Sequence, residues 1–279
     1  MRYTFFIWIL SFLFFSCNRT NPFVPKNNVL EVVPSFFVQN ILLENVQAEW
    51  SNATVSTTQL LDSIQKQYPH RIKISTFHLN DWLSNSTTQD ISDYLGGYIN
   101  IPVGAANRHL TFNTINQEDN RIWMTPINWF QSIDQQINQE SSAALAMQSG
   151  INERQEAYAT VYIAYKKPFA SNTRLSLYVV RDSIKHIFQV DASPSFFHKN
   201  IFTNIYPDSI VGVPISLHES NDLGTIASYT FSPLDIQSID IYNYKLVAVL
   251  HEANTDFRKR RIINVQDALF GGIKYWDEK

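Results

Sequence analysis

Few residues of this chain have types and spacing that could do chemistry, and most of them sit in one short stretch. Glu49-Trp50-Ser51-Asn52-Ala53-Thr54 lies between a β-rich run at 38–46 and a helical period at 55–68. A hydroxyl at a helix N-terminus has free backbone N–H groups beside it, so Ser51 is a candidate nucleophile with oxyanion donors close by. It also needs a base, and Glu49 is the only one that the local chain offers. The simpler reading has Ser51 and Thr54 capping the helix. His78, beside Asn80, Asp81 and Trp82, is a second candidate. No second ligand stands at a recognisable spacing, so a hydrogen-bonded structural histidine is expected rather than a metal site. His186, His198, His218 and His251 are scattered in the same way. Arg258-Lys259-Arg260-Arg261 is the sharpest charge feature. It suits an anionic partner such as lipid headgroups or acidic glycans, or else a solvated hairpin that keeps a sheet edge from pairing. No metal and no cofactor are expected.

Cys17 is the single cysteine, which rules out an intrachain disulfide and any cysteine-rich zinc site. Before it stand Arg2, an apolar run over 5–15 broken only by Ser11, and the small residue Ser16. That run is too short for a stable membrane span and fits an export signal over 1–16. Phe14-Phe15-Ser16-Cys17 resembles a lipobox, although Phe14 replaces the usual leucine. Lipid on Cys17 would also consume a thiol that is a liability in an oxidising envelope. The lipidated cysteine and a tether are assigned to 17–37, with polar residues over 18–28. The tether begins without an acidic cluster, which favours the periplasmic face of the outer membrane over the cell surface. The chain carries 22 basic and 25 acidic side chains, and loss of Arg2 with the signal makes the balance slightly more negative. Such a body is not a general nucleic-acid binder. With 44% hydrophobic and 14% aromatic residues, it has the means to hold itself together by its cores.

The elements that position these residues follow from periodicity. Residues 38–46 and 71–79 read as strands, the latter mixing alternation with a buried end. Leu60, Leu61, Ile64 and Tyr68 share one face of a helix over 55–68 that Pro69 stops. A short helix over 87–94 starts with a cap at Thr88 and ends at Gly96-Gly97. A strand enters at Ile101-Pro102-Val103, with a partner over 108–114. A helix from Pro126 to Gln139 follows, with Trp123 and Trp129 in the core. This is an α/β pattern over 38–140. From about 141 the period becomes two. Runs at 157–165, 174–180, 225–231 and 244–250 alternate as antiparallel strands with one wet face, most simply a β-sandwich over 141–279.

Thioredoxin-like enzymes place Trp-Cys-x-x-Cys at a strand-to-helix junction, where the helix end lowers the first thiol's pKa. Trp50, Ser51 and Thr54 resemble that motif with both thiols replaced, and Ile101-Pro102 resembles the cis-proline element set opposite it. More narrowly, residues 38–265 are similar to the outer-membrane-protein-28-related lipoprotein family of Bacteroidota. The matching pieces are the strand ending in Glu44, Trp50 with the spaced pair, the strand with His78, Ile101-Pro102 before Asn107-Arg108, and 245–250 followed by Ile263-Asn264. The resemblance implies an N-terminal thioredoxin-like domain. The missing cysteines remove the redox role that it would otherwise carry.

The functional expectation is a non-enzymatic lipoprotein of the envelope, attached to a membrane by its N-terminal lipid and binding or scaffolding a protein or peptide partner. A cell-surface adhesin is the alternative, and a serine hydrolase using Ser51 the second alternative.

Overall fold

The computed structural model describes residues 30, 32–97, 100–110, 122–166, 170–185, 188–193, 196–215, 226–236 and 243–277. Cys17, the export signal, residues 18–28 of the tether, His186 and His218 lie outside them. In chain order the elements are β1 (Ile41–Gln47), α1 (Ala53–Gln67), β2 (Ile72–His78), α2 (Ser86–Tyr94), β3 (Val103–Ala106), α3 (Trp129–Ile137), β4 (Ala143–Ile151), β5 (Ala157–Tyr165), β6 (Thr173–Arg181), β7 (Ile184–Lys185), β8 (Phe197–His198), β9 (Ile201–Tyr206), β10 (Val213–Pro214), β11 (Ile226–Leu234), β12 (Tyr244–Glu252), β13 (Ile262–Leu269) and β14 (Ile273–Lys274).

The first half builds one end of a large sheet. Strand β1 pairs in parallel with β2, from Ile41 opposite Ile72 to Gln47 opposite His78. A parallel pair needs a crossover, and α1 supplies it. Strand β3 then runs antiparallel on the other side of β1. The helices cover one face. Leu61 and Ile64 of α1 and Trp129, Ile133 and Ile137 of α3 pack on Ile41, Leu43, Ile72 and Ile74. Trp129 is fully buried and leaves no room for a side chain at position 104. A Cβ there would stand 2.8 Å from its ring, so only glycine fits.

The sheet does not stop at residue 141. Its order is β13-β12-β6-β9-β2-β1-β3, with β10 added on β6. The seam between the two halves is a parallel contact of Thr76 with Ile201. A second sheet, β11-β5-β4-β14, packs against it. Leu145, Met147, Val161 and Ile163 from the small sheet meet Leu175, Leu177, Leu246 and Leu250 from the large one. The chain is therefore mostly β, built of more than one sheet, with a sandwich in its second half.

Several expectations change here. Strands β6 and β12 have no wet face, because Tyr178, Val180, Val247 and Val249 turn into another core with Leu42, Val46, Phe77 and Phe202. Of the partner strand expected over 108–114, residues 111–114 lie outside the described residues. Arg108 follows β3 in a turn, and Gly104 bridges antiparallel to Met124. The cap of α2 is Asn85, whose side chain accepts from the Thr88 N–H, rather than Thr88. Leu30, Val33 and Phe37 were expected in the tether. Leu30 and Phe37 are buried, and Val33 packs with Phe37 on Ala144 and Ala164 of the small sheet. The large sheet also curls until its edge meets its start. The Asn40 N–H donates to Asn264 Oδ1 at 3.0 Å, Asn40 Nδ2 donates to the Val265 carbonyl, and Asn264 Nδ2 donates to the Val38 carbonyl.

Candidate functional site

The C-terminal end of β1 gathers the motif residues. After Gln47 the chain turns, with the Ser51 N–H donating to the Ala48 carbonyl and the Thr54 N–H to the Ser51 carbonyl, each at 3.2 Å. Helix α1 starts at Ala53, so Thr54 lies in its first turn and Ser51 just before it. Neither caps the helix, which corrects the simpler reading. The N-cap position is Asn52, without a side-chain cap bond. The Thr54 hydroxyl instead donates to the Ala48 carbonyl at 2.7 Å, fastening the helix to the strand.

Below this turn lies a buried polar cluster. His78 Nδ1 is 2.7 Å from Asp81 Oδ2, and its Nε2 is 3.2 Å from Gln47 Nε2. The amide nitrogen can only donate, and Gln47 Oε1 accepts from Asn45 Nδ2, so the histidine is read as the tautomer with its proton on Nδ1. Asp81 also accepts the N–H groups of Glu49 and Leu83. Burial pushes the Asp81 carboxyl up, but His78 and these N–H groups outweigh it and hold the group below the usual carboxylate range. His198 stands edge-on to His78, with ring centroids 4.9 Å apart, and lies 3.7 Å from Glu49. Both nitrogens of His78 are thus engaged, and neither is turned to Ser51. Among the described residues no group of three or more His, Cys, Asp or Glu is arranged to hold a metal.

Above the turn the surface is aromatic. Trp50 is 53% exposed and donates from Nε1 to the Leu79 carbonyl at 3.2 Å. Trp82, next to Asp81, is 73% exposed. The segment around Val190 docks alongside, through the Val190 N–H to the Glu49 carbonyl and Gln189 Nε2 to the Ser51 carbonyl. It brings Phe188, 68% exposed, to the same end. Ile101-Pro102, a cis peptide, precedes β3. Since Val103 pairs with Val46, the register sets Pro102 and Ile101 beside Gln47 and Ala48. The sequence thus brought Trp50, Ser51, Thr54, His78, Ile101 and Pro102 to one end. The 188–190 segment was missed, because nothing local to it shows that it docks there.

The basic segment lies apart from this pole, in the short loop between β12 and β13. Arg258 pairs with Asp256 at 2.8 Å. The Arg260 guanidinium lies 3.7 Å over the Tyr94 ring and donates to the Asn254 and Tyr94 carbonyls. Lys259 and Arg261 are exposed. Among the described residues no helix is long and apolar enough to cross a membrane.

The family model for outer membrane protein Omp28 matches residues 100–272, which takes in Pro102, Arg108 and the basic loop but not Trp50. Among solved structures, HBP35 of Porphyromonas gingivalis is similar over 87% of this chain and 79% of its own, at 18% identity and a TM-score of 0.67. A structural-genomics protein of Agrobacterium tumefaciens is similar over 87% of this chain and 99% of its own, at 9% identity and a TM-score of 0.54. Comparison with curated proteins gives no match. At these identities the two structures speak to the fold alone.

Proposed function

The chain belongs to the Omp28 outer membrane protein family, and on that premise we propose that it is a non-enzymatic, lipid-anchored envelope protein that holds an extended polypeptide at the Trp50 end of its sheet. The family gives an outer membrane or envelope protein. The lipid on Cys17, the periplasmic face and the polypeptide ligand are our reading.

One observation carries it. Trp50, Trp82 and Phe188 are exposed at a single end, on backbone that a buried hydrogen-bonded cluster holds in place. Large exposed aromatics on a rigid base are what a recognition surface needs, because little entropy is lost when a partner covers them. The parallel β1-α1-β2 unit, the antiparallel β3 and the cis Ile101-Pro102 bond support a thioredoxin-like reading of this end. Such an end offers backbone groups to an extended chain, the β-addition mode of peptide recognition.

The test is site-specific photocrosslinking in intact envelopes, with the crosslinker at position 82 or 188. Protein or peptide adducts are expected, and Trp50→Ala should abolish them. Arg258→Ala, in the basic loop, should leave them unchanged. Adducts that survive Trp50→Ala, or that Arg258→Ala abolishes, would overturn the proposal.

A further inference from the structure

A second site lies elsewhere, in a cleft of about 460 Å³ bounded by α1, β2, β12, β13 and β14. Its charged lining is unbalanced. Lys73, Lys245 and Lys274 face it from three strands distant in sequence, and Asp267 is the carboxylate among the lining residues. Gln65 and His70 complete the polar wall.

The contacts show how far these charges are satisfied. The Lys73 side chain is only 3% exposed. Its ammonium donates to the His70 carbonyl and to Asp267 Oδ1, each at 2.9 Å. Lys245 Nζ donates to Asn200 Oδ1 at 2.5 Å and stands 3.6 Å from Asp267 Oδ2. Lys274 Nζ is 2.8 Å from Asp277 Oδ1. Asp277 lies behind the wall, where it also accepts from Asn40 Nδ2 and Gln266 Nε2. Burial works against ionisation of Asp267, and the lysines more than offset this, holding the carboxyl below its usual range. An ammonium has three N–H donors, so among the described residues each of these lysines keeps at least one donor uncommitted. Asp267 and Asp277 together offset two of the three ammoniums, which leaves one positive charge in excess that a further anion would balance.

We propose that this cleft binds a phosphate monoester, its oxygens accepting the spare N–H groups of Lys73, Lys245 and Lys274. Lysine binds phosphate as a point charge and makes no demand for a planar fork. The volume lies within the range of small-ligand sites, about 300–1,000 Å³, and so admits the group that the phosphate esterifies. Leu269 at the lip is 65% exposed, which offers that group an apolar contact. The site is independent of the Trp50 pole, and neither depends on the other being right.

Calorimetry on the full-length chain in neutral detergent at low salt tests this, with inorganic phosphate, glucose 6-phosphate and a short-chain phosphatidic acid as probes and glucose as the uncharged control. Saturable binding is expected for the phosphate-bearing probes and none for glucose. Tightest binding of phosphatidic acid identifies a lipid headgroup as the source, and tightest binding of glucose 6-phosphate or inorganic phosphate a soluble one. Lys245→Gln should weaken binding about tenfold, as loss of a charged hydrogen bond does. Lys274→Gln, at a partly exposed position, should weaken it similarly, with a thermal melt in parallel showing that the variant is folded at the assay temperature. Arg258→Gln should bind as wild type. No saturable binding at millimolar phosphate ester, or wild-type binding by both lysine variants, overturns the proposal.

Discussion

The guanidinium of Arg108 grips the carboxylate of Glu44 inside the protein through two parallel hydrogen bonds, Nε to Oε2 and Nη2 to Oε1, each 2.8 Å long. Glu44 has no exposure and Arg108 has 1%. The Tyr178 hydroxyl joins them, accepting from Arg108 Nη2 and donating to Glu44 Oε1. Burial alone would lower the arginine's pKa, but Glu44 outweighs it and holds the group above its ordinary value. The triad links β1, the turn after β3, and β6, so it ties the two halves of the large sheet.

Breaking this pair leaves an unpaired buried charge. Arg108→Met should therefore destabilise the protein by about 3–5 kcal/mol in urea unfolding. Glu44→Leu combined with Arg108→Met should recover much of that loss, because no charge is then stranded. A double variant as unstable as the sum of the singles would show that the two residues act separately.

His251 gives a dependence on pH. Its Nε2 lies 3.1 Å from the Ser176 hydroxyl, fully inside the protein. Burial first, and then the positive charge of Arg108, lower its pKa to about 3. The unfolded chain, with a histidine near 6.5, takes up the proton that the folded chain refuses. Stability from this group is complete above pH 6.5 and is lost as pH falls towards 3, at about 1.4 kcal/mol per pH unit. Asp81, Asp267 and Asp277 have lowered pKa values and lose their contribution only below about pH 3.8. The fall between pH 6 and 4.5 should therefore be shallower in His251→Gln, measured by urea midpoint at each pH.

The turn at Ser51 should accept a disulfide. The Thr54 N–H reaches the Ser51 carbonyl, and residues joined by such a turn have Cα atoms under about 7 Å apart, within disulfide range. Ser51→Cys with Thr54→Cys should oxidise under mild oxidant and keep the fold. The first thiol should titrate below the usual range, since it precedes a helix N-terminus. Peptide mapping that finds the pair reduced in folded protein would remove the redox-motif reading of this segment.

Lipid attachment is the simplest expectation to check. Labelled palmitate should enter the wild-type chain in cells and the protein should partition into detergent. Cys17→Ala should lose both properties. Retention of label by the alanine variant would rule out the lipobox.

Much of the frame was legible, because period alone marks β1, α1, β2, β5 and β12. The double burial of β6 was not. Leu175, Leu177 and Val179 alternate with Ser176, Tyr178 and Val180, and the second set reads as a wet face. It faces a core in which Ser176 meets His251 and Tyr178 meets Glu44, and that satisfaction is invisible in a single strand's sequence. Glu44 and Arg108 each stood out as family-like residues, yet nothing in their spacing says that they pair. Trp50, Ser51 and Thr54 were found through a motif. The lysine cleft was missed because Lys73, Lys245 and Lys274 converge only when the sheet curls.

Strand β1 begins just after the Val38–Glu140 bridge and ends just before Trp50. A pull between the N-terminal side of the body and Trp50 therefore runs along the β1 backbone, which is already extended. The rungs from Ile41–Ile72 to Gln47–His78 stand across that line and carry little of it. Single-molecule stretching between residues 40 and 48 should show no rupture event, and stretching between residues 40 and 274 should detach the two-residue strand Ile273–Lys274 at low force. If the chain is anchored at its N-terminus and holds a partner at Trp50, as proposed, the direction of its first strand lets that load pass without opening the body.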